Sequence, residues 1–136
     1  MRFSTRTTYG LRAMIFLTRN FGDDNISLNT IAKKENISLS YLERLFAILK
    51  KADLIKSEKG MSGGYKLAKN PNFITIYDIV RVLEGEVTPF FCLSEDGEVK
   101  CSVSKSCGAS VVLSKVQIAI KKTLKDIKLS DLKWKK

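Results

Sequence analysis

The spacing of apolar residues predicts five helices along this chain. Apolar positions three or four residues apart form one face of a helix over residues 7–20, 28–35, about 40–51, 76–84 and 110–128. The expected inward positions in the first four helices are Tyr9, Ala13, Phe16 and Leu17; Leu28, Ile31 and Ala32; Leu42, Leu45, Phe46 and Leu49; and Ile76, Ile79, Val80 and Leu83. Turn-forming residues at 21–25 and a glycine at position 85 interrupt the pattern.

Small polar residues mark the beginnings of the second and third helices. Ser27 is a predicted N-cap for the second helix. For the third helix, Ser40 with Glu43 fits a capping box, and Ser38 fits equally well as the cap. Only residues 36–38 connect the two helices, which is the tight connection of a helix-turn-helix.

Two short strand-like segments follow, at residues 54–57 and 65–67. Gly60, Gly63 and Gly64 lie between them and allow the positive φ angles of a hairpin turn, so the pair predicts a β-ribbon. The order of three helices, a ribbon, a further helix, a loop and a long helix predicts a winged helix-turn-helix with extra helices. The predicted fold class is therefore mainly α with a small two-stranded β-wing, comprising a winged helix-turn-helix DNA-binding domain and a long C-terminal helix.

The chain divides into a predicted DNA-binding domain (residues 1–87), a cysteine loop (88–109) and a long helix with a basic tail (110–136). The long helix carries an apolar stripe of Val112, Val116, Ala119, Ile120, Leu124 and Ile127. Such a stripe needs a partner surface, and a second copy of the chain supplies one. Packing against its own domain is the alternative, and the spacing is compatible with both.

The charge of the chain favours a polyanionic partner. Lys and Arg total 24 against 14 Asp and Glu, a net charge of +10, and residues 1–90 and 91–136 each carry a surplus of five basic side chains. Neutralising phosphates releases counterions, so this surplus suits nucleic acid. No apolar run is long enough to span a membrane, and no apolar segment of a signal peptide follows the basic start, so we expect a cytoplasmic protein.

The beginning of the third helix supplies the candidate base-reading residues. In a helix-turn-helix, the N-terminal residues of the second motif helix meet base edges, which here are Ser38, Ser40, Tyr41 and Arg44. A bidentate contact from Arg44 to guanine would be worth about 1–3 kcal/mol. At the ribbon turn, Lys59 and Ser62 are placed to reach the minor groove.

All three cysteines, Cys92, Cys101 and Cys107, lie in one polar segment. Their odd number and the expected compartment argue against a structural disulfide. Because the chain has no histidine, cysteine catalysis lacks its usual base, and we do not expect an enzyme. The C-x₈-C-x₅-C spacing lacks the close cysteine pair of a zinc knuckle. Thiolates in a loop suit an iron–sulfur cluster, although this spacing matches no ferredoxin pattern.

Several segments resemble the Rrf2 family of bacterial transcription regulators, which includes the iron–sulfur cluster assembly regulator and a nitric-oxide-sensing repressor. The resemblance extends from residue 1 to about residue 132 and is carried by MRFSTRTTYGLRAM, ISLSYLERLFAILKKADLIKSEKGMSGGYKLAK, ITIYDIVRVLEG and the three-cysteine loop. It implies a homodimer on a palindromic operator in double-stranded DNA, with the long helix as the dimer contact. It also implies that Ser40, Glu43, Arg44 and Lys59 lie at or near the DNA. Glu43 would then disfavour binding to some operator sequences until cluster loading moves this side chain.

The resemblance further implies a 2Fe–2S or 4Fe–4S cluster held by Cys92, Cys101 and Cys107. Its fourth ligand is open, because Ser110 stands where some relatives have a histidine, and the stretch at residues 7–9 lacks the carboxylate of others. The candidates are Glu95, Asp96, Glu98, Ser110, Thr8, or an exogenous thiol or water.

We therefore expect a sequence-specific DNA-binding regulator, and a repressor rather than an activator, that senses iron–sulfur status, nitric oxide or redox state. The alternative is a cluster-free regulator of the same fold that responds to thiol oxidation or to a partner enzyme, as some relatives in sulfur metabolism do.

Overall fold

Five α-helices and a two-stranded antiparallel sheet form the part of the chain that the computed structural model describes, residues 2–60, 63–100 and 107–133. In chain order they are α1 (Thr5–Arg19), α2 (Leu28–Glu35), α3 (Leu39–Lys51), β1 (Ile55–Glu58), β2 (Gly64–Leu67), α4 (Ile76–Glu84) and α5 (Gly108–Asp126). Short 3₁₀ helices cover Pro71–Phe73 and Leu129–Leu132. The predicted order of helices and wing is confirmed.

The core lies around α4, which packs against α1, α3 and α5. Most predicted inward positions are buried, namely Ala13, Leu17, Ile31, Leu42, Leu45, Phe46, Leu49, Ile76, Ile79, Val80 and Leu83. Tyr9, Phe16, Leu28 and Ala32 are only half-buried and pack against the edge of this core. At Gly10 an added Cβ would lie 2.3 Å from Leu83 Cδ1, so glycine permits the close approach of α1 to α4.

Side-chain caps set the first residues of α1 and α3. Ser4 Oγ accepts a hydrogen bond from the Thr7 amide, and α1 begins two residues earlier than the apolar spacing predicts. For α3, Ser38 Oγ accepts from the Tyr41 amide at 3.2 Å, so Ser38 rather than Ser40 is the N-cap. This leaves the Ser40 side chain in the exposed first turn of α3.

The wing is fixed to the rest of the domain through Tyr65 in β2. The Ile26 amide donates to Tyr65 O at 3.0 Å, and the Tyr65 amide donates to Ile26 O at 2.8 Å. The Tyr65 ring also meets Phe46 of α3 edge to face, with centroids 4.9 Å apart. An added Cβ at Gly64 would lie 2.5 Å from Ile26 O, so glycine is required for this approach. The wing and α3 therefore pack together.

The apolar stripe of α5 is divided between two environments. Leu124 is buried, and beyond the helix the Ile76 amide donates to Ile127 O and the Leu129 amide to Ile74 O, both at 2.9 Å. Val112 and Val116, nearer the start of α5, are 60% and 37% exposed. The end of the long helix thus packs on its own domain, and its beginning presents apolar side chains to the exterior. Among the described residues, no helix has the length and apolar character needed to cross a membrane.

Glu84, at the end of α4, holds the beginning of α1. Its Oε1 accepts from the Ser4 amide at 2.8 Å, from Ser4 Oγ at 2.7 Å and from Thr7 Oγ1. Burial acts to raise the pKa of Glu84, but the hydrogen bonds from Thr7 and Ser4 outweigh burial, and the net pKa lies below its ordinary value. The ionised carboxylate therefore stabilises the junction of α1 and α4.

Replacing Glu84 by Gln is expected to lower the free energy of unfolding at pH 7 by about 1–2 kcal/mol, because the donors lose a charged acceptor. A lowered folded pKa means that this stabilisation is present at neutral pH and is lost as the pH falls through that pKa. Denaturant unfolding of wild type and Glu84→Gln at pH 7 and about pH 3 measures both effects. Glu86→Gln, at a neighbouring exposed carboxylate, is the control. If wild type and Glu84→Gln differed in unfolding free energy as much at low pH as at pH 7, the stabilising role of the ionised Glu84 carboxylate would be contradicted.

Candidate DNA-binding surface and cysteine hairpin

One face of α3 is exposed along its first two turns. Glu43 and Arg44 lie three and four residues after Ser40 on this face, and all three are exposed. The opposite face is buried through Leu42, Leu45, Phe46 and Leu49. The predicted residues are thus brought together on one surface by the amphipathic pattern of α3.

Glu43 and Arg44 have no competing partner in the part of the chain that is described. Neither side chain makes an ion pair or a hydrogen bond there. Ser38 differs, because its hydroxyl accepts from the Tyr41 amide. The amides at the beginning of a helix also favour an anion such as a phosphate. The first turns of α3 can therefore combine backbone phosphate contacts with side-chain contacts to bases.

Tyr41 is half-buried and its ring is held from α1. The Tyr9 and Tyr41 rings meet edge to face, with centroids 5.7 Å apart. The Arg12 guanidinium lies 5.4 Å from the centroid of the Tyr9 ring, and Arg12 Nε pairs with Glu35 of α2 at 3.2 Å. Sequence reasoning identified Tyr9 only as an inward position, because nothing local relates it to a residue in α3.

The turn of the wing carries Lys59, which is exposed and precedes Gly60, where φ is 119°. Ser62, the other predicted residue of this turn, lies outside the described residues. The wing packs on α3 through the Tyr65–Phe46 contact. The structure therefore places Lys59 directly after β1 of the wing, which packs on the third helix.

Residues 92–100 form a hairpin, here called the cysteine hairpin, where the sequence predicted only a loop. The Lys100 amide donates to Cys92 O at 2.9 Å, and the Ser94 amide donates to Glu98 O at 2.8 Å. Gly97 has a φ of 89°, which accommodates the tight turn. Leu93 is buried and pairs with Val99 across the hairpin. Cys92 is consequently fixed at the open end of a small ordered unit.

Two side chains of α5 hold the cysteine hairpin through its backbone. Gln117 Nε2 donates to Ser94 O at 2.9 Å, and Gln117 is buried. Lys121 Nζ donates to Glu95 O. Gln117 and Lys121 are one helical turn apart, which gives both the same direction from α5.

The Glu95 side chain contacts α4 instead. Its Oε1 accepts from Tyr77 Oη and from Arg81 Nε, both at 3.0 Å. Burial acts to raise the pKa of Glu95, but the hydrogen bonds from Tyr77 and Arg81 and the positive charge of Arg81 hold the net pKa below its ordinary value. Lys125 Nζ lies 4.7 Å from the centroid of the Tyr77 ring. Glu95 is thus an ionised carboxylate with its partners on α4.

Cys92 and Cys107 are half-buried, and neither is in a disulfide. Cys107 occupies the N-cap position of α5, and its side chain makes no capping hydrogen bond. Soft thiolates beside the positive end of a helix fit an iron–sulfur cluster in chemical kind. Cys101 lies outside the described residues, and within them no three His, Cys, Asp or Glu side chains are grouped to hold a metal ion.

Three of the five protein residues that are candidates for the fourth ligand already have partners. Glu95 pairs with Arg81, Ser110 Oγ donates to Cys107 O at 2.7 Å, and Thr8 Oγ1 donates to Thr5 O at 3.1 Å. Asp96 and Glu98 are exposed, and neither carboxylate has a partner in the described part of the chain. The protein carboxylates open to a new ligand are therefore those near the turn of the cysteine hairpin.

The exposed face of α3, the wing and the helix order define a winged helix-turn-helix DNA-binding protein. A family model, Rrf2, described as an iron-dependent transcriptional regulator, matches residues 3–134. The chain therefore belongs to the Rrf2 family, which comprises transcription regulators and not enzymes. The resemblance found in the sequence is confirmed.

Known relatives cover most of the chain. The HTH-type transcriptional regulator CymR of Bacillus subtilis is 43% identical over 100 residues, 74% of this chain and 72% of that protein. The structure of CymR, described as the global cysteine regulator of B. subtilis, gives a TM-score of 0.83 at 36% identity and covers 98% of this chain and 96% of that one. The structure of T. potens IscR gives a TM-score of 0.76 at 39% identity and covers 97% of this chain and 85% of that one. The structure of the oxidised form of Staphylococcus aureus CymR gives a TM-score of 0.78 at 34% identity and covers 100% of this chain and 98% of that one.

Replacing Arg44 by Ala is expected to weaken operator binding about 5- to 150-fold and to relax the preference at one base position, because a bidentate base contact is lost. The probe is a DNA fragment that the wild-type protein selects from a randomised pool, and fluorescence anisotropy at fixed salt measures the affinity. Arg44→Lys keeps the charge without the bidentate geometry and is the matched control. Unchanged affinity and preference in Arg44→Ala would show that α3 does not read bases through this residue.

Proposed function

We propose that this chain is a homodimeric, sequence-specific repressor of the Rrf2 type, whose affinity for a palindromic operator depends on an iron–sulfur cluster held by Cys92, Cys101 and Cys107. The observation that carries the DNA-binding part is the exposed face of Ser40, Glu43 and Arg44, which has charged side chains without partners in the described chain. In such a complex Arg44 contacts a base, and Ser38, Tyr41 and Lys59 support the docking. The membership of a family described as iron-dependent supports the cluster.

The beginning of α5 supports a homodimer. Val112 and Val116 are exposed, and a largely apolar groove of about 490 Å³ lies between this helix and the N-terminal residues Arg2 and Phe3. Val111 and Ile118 add exposed apolar surface on the same helix, at 57% and 62% exposure. Covering these side chains with a second copy removes apolar surface from water and sets two recognition helices on one palindrome.

Cys92 and Cys107 stand at the two ends of the three-cysteine segment, which supports their proposed role as cluster ligands. Cys92 ends the ordered cysteine hairpin, and Cys107 begins α5, so both thiols are attached to elements that pack on the domain. A bound cluster would supply a centre that reacts with oxidants and nitric oxide. Asp96, Glu98 or an exogenous ligand is proposed for the fourth position, because Glu95, Ser110 and Thr8 have partners of their own.

A second candidate is a cluster-free regulator that responds to oxidation of the thiols. One observation favours it: the chain is similar to B. subtilis CymR, which is described as a cysteine regulator, and to S. aureus CymR, which has been solved in an oxidised form. The half-buried thiols of Cys92 and Cys107 are partly accessible to an oxidant.

Purified without oxygen, the wild-type protein is expected to be coloured and to contain iron and sulfide, and Cys92→Ala is expected to lose both the colour and the dependence of operator affinity on iron. Absorption spectra, iron and sulfide counts, and anisotropy with the selected DNA fragment measure these effects. Lys100→Ala, at an exposed side chain of the same hairpin, is the control and should behave as wild type.

Iron-free wild-type protein that resists reconstitution would exclude the cluster. If its operator affinity then changes on thiol oxidation and Cys92→Ala abolishes that change, the cluster-free candidate stands instead. Operator affinity that responds to neither treatment would exclude both sensing proposals.

A further inference from the structure

We infer that Glu95 is a positioning residue that connects the cysteine hairpin to the recognition helix α3, through Tyr77 and Arg81 on α4. The inference rests on the proposed function, in that it assumes that the state of the thiol segment changes operator affinity. To that function it adds the side chains through which a change in the thiol segment affects α3.

The Glu95 carboxylate provides the polar contacts between the cysteine hairpin and α4 in the described chain. Tyr77 and Arg81 lie one helical turn apart on α4 and both donate to the same carboxylate oxygen, Glu95 Oε1. Leu93 is buried, but it does not belong to the main cluster of core residues. In the described chain, the polar connection of the hairpin to α4 is therefore made by Glu95, beside the attachment of the hairpin to α5 through Gln117 and Lys121.

Arg81 also borders the recognition helix. It lines a cleft together with Ile48 and Lys51, which lie in the last turn of α3. The neighbouring residues Ile79, Val80 and Leu83 of α4 are buried in the core that α3 shares. Arg81 thus contacts the carboxylate of the hairpin and also lines the cleft at the end of α3, so we expect a displacement of Glu95 to change a group that lines this cleft.

The contacts from the hairpin to α5 can be separated from this connection by mutation. Gln117 and Lys121 donate to the backbone carbonyls of Ser94 and Glu95, so they persist whatever side chain stands at position 95. A substitution of Glu95 therefore tests the connection to α4 and leaves the attachment to α5 in place.

The test compares the ratio of operator affinities between iron-loaded and iron-free protein in wild type, Glu95→Gln, Arg81→Met and the double variant. If the protein is the cluster-free regulator, the same ratio is measured between reduced and oxidised protein.

Coupling between two sites commonly amounts to about a 5- to 150-fold change in affinity. We expect each single variant to bring the ratio close to 1 while iron, sulfide and the absorption spectrum stay as in wild type. The double variant should lose no more than either single one, because both act through one contact.

Tyr77→Phe removes only the hydroxyl donor and should give an intermediate ratio, which also guards against a folding defect in the other variants. The matched control is Lys122→Met with Asp126→Asn, which removes an exposed ion pair of α5, 2.9 Å long, that does not touch the hairpin. This control should keep the wild-type ratio.

Wild-type ratios in all the Glu95, Arg81 and Tyr77 variants would overturn the inference and leave the proposed function intact. Loss of iron from all of them would also overturn it, since the contact would then serve to hold the cluster. A wild-type protein whose affinity is the same in both states would overturn the proposed function, and the inference with it.

Discussion

The burial of the apolar face of α4 is the interaction on which the rest of the structure depends. A nine-residue helix is not stable alone in water, so α4 exists only because Ile79, Val80 and Leu83 are packed against other elements. Burying each such side chain contributes about 1.5–3 kcal/mol. The same packing orients α1, α3 and α5, because all three contact α4.

This arrangement gives the two functional regions a common support. The recognition helix packs on one side of α4, and the cysteine hairpin is bonded to α4 through Glu95. The N-terminus of α1 is tied to the same helix by Glu84, and α1 in turn holds Tyr41 through Tyr9. We infer that a change at the thiol segment reaches α3 through Glu95 and through α4, which packs against α3.

Sequence reasoning was most accurate where the governing interactions are local. The bounds of α2 and α4 follow from the caps Ser27 and Thr75 and from Gly85, all of which lie within a few residues of the helix ends that they set. The starts of α1 and α5 were placed two residues late, because apolar spacing does not reveal a polar first turn.

The supports of the candidate site could not be predicted in the same way. Glu95 meets Tyr77 and Arg81 from a different segment, and Tyr9 meets Tyr41 from 32 residues away. The sequence signal for these supports was two pairs of polar residues, at 77 and 81 and at 117 and 121. In each pair the two residues lie one helical turn apart beside core positions. Such a pair indicates that its helix binds a polar group from another segment, but it does not identify that group. Cys101 and Ser62 remain predictions, since both lie outside the described residues.

Hydrogen–deuterium exchange of the full chain in its two thiol-segment states tests the central claim most directly, because it reports local opening along the backbone. Iron-loaded and iron-free protein, or reduced and oxidised protein, would be compared peptide by peptide. The account predicts that exchange changes in the cysteine hairpin, in α4 and in α3 together. A change confined to residues 92–107, with α4 and α3 unaltered, would contradict it.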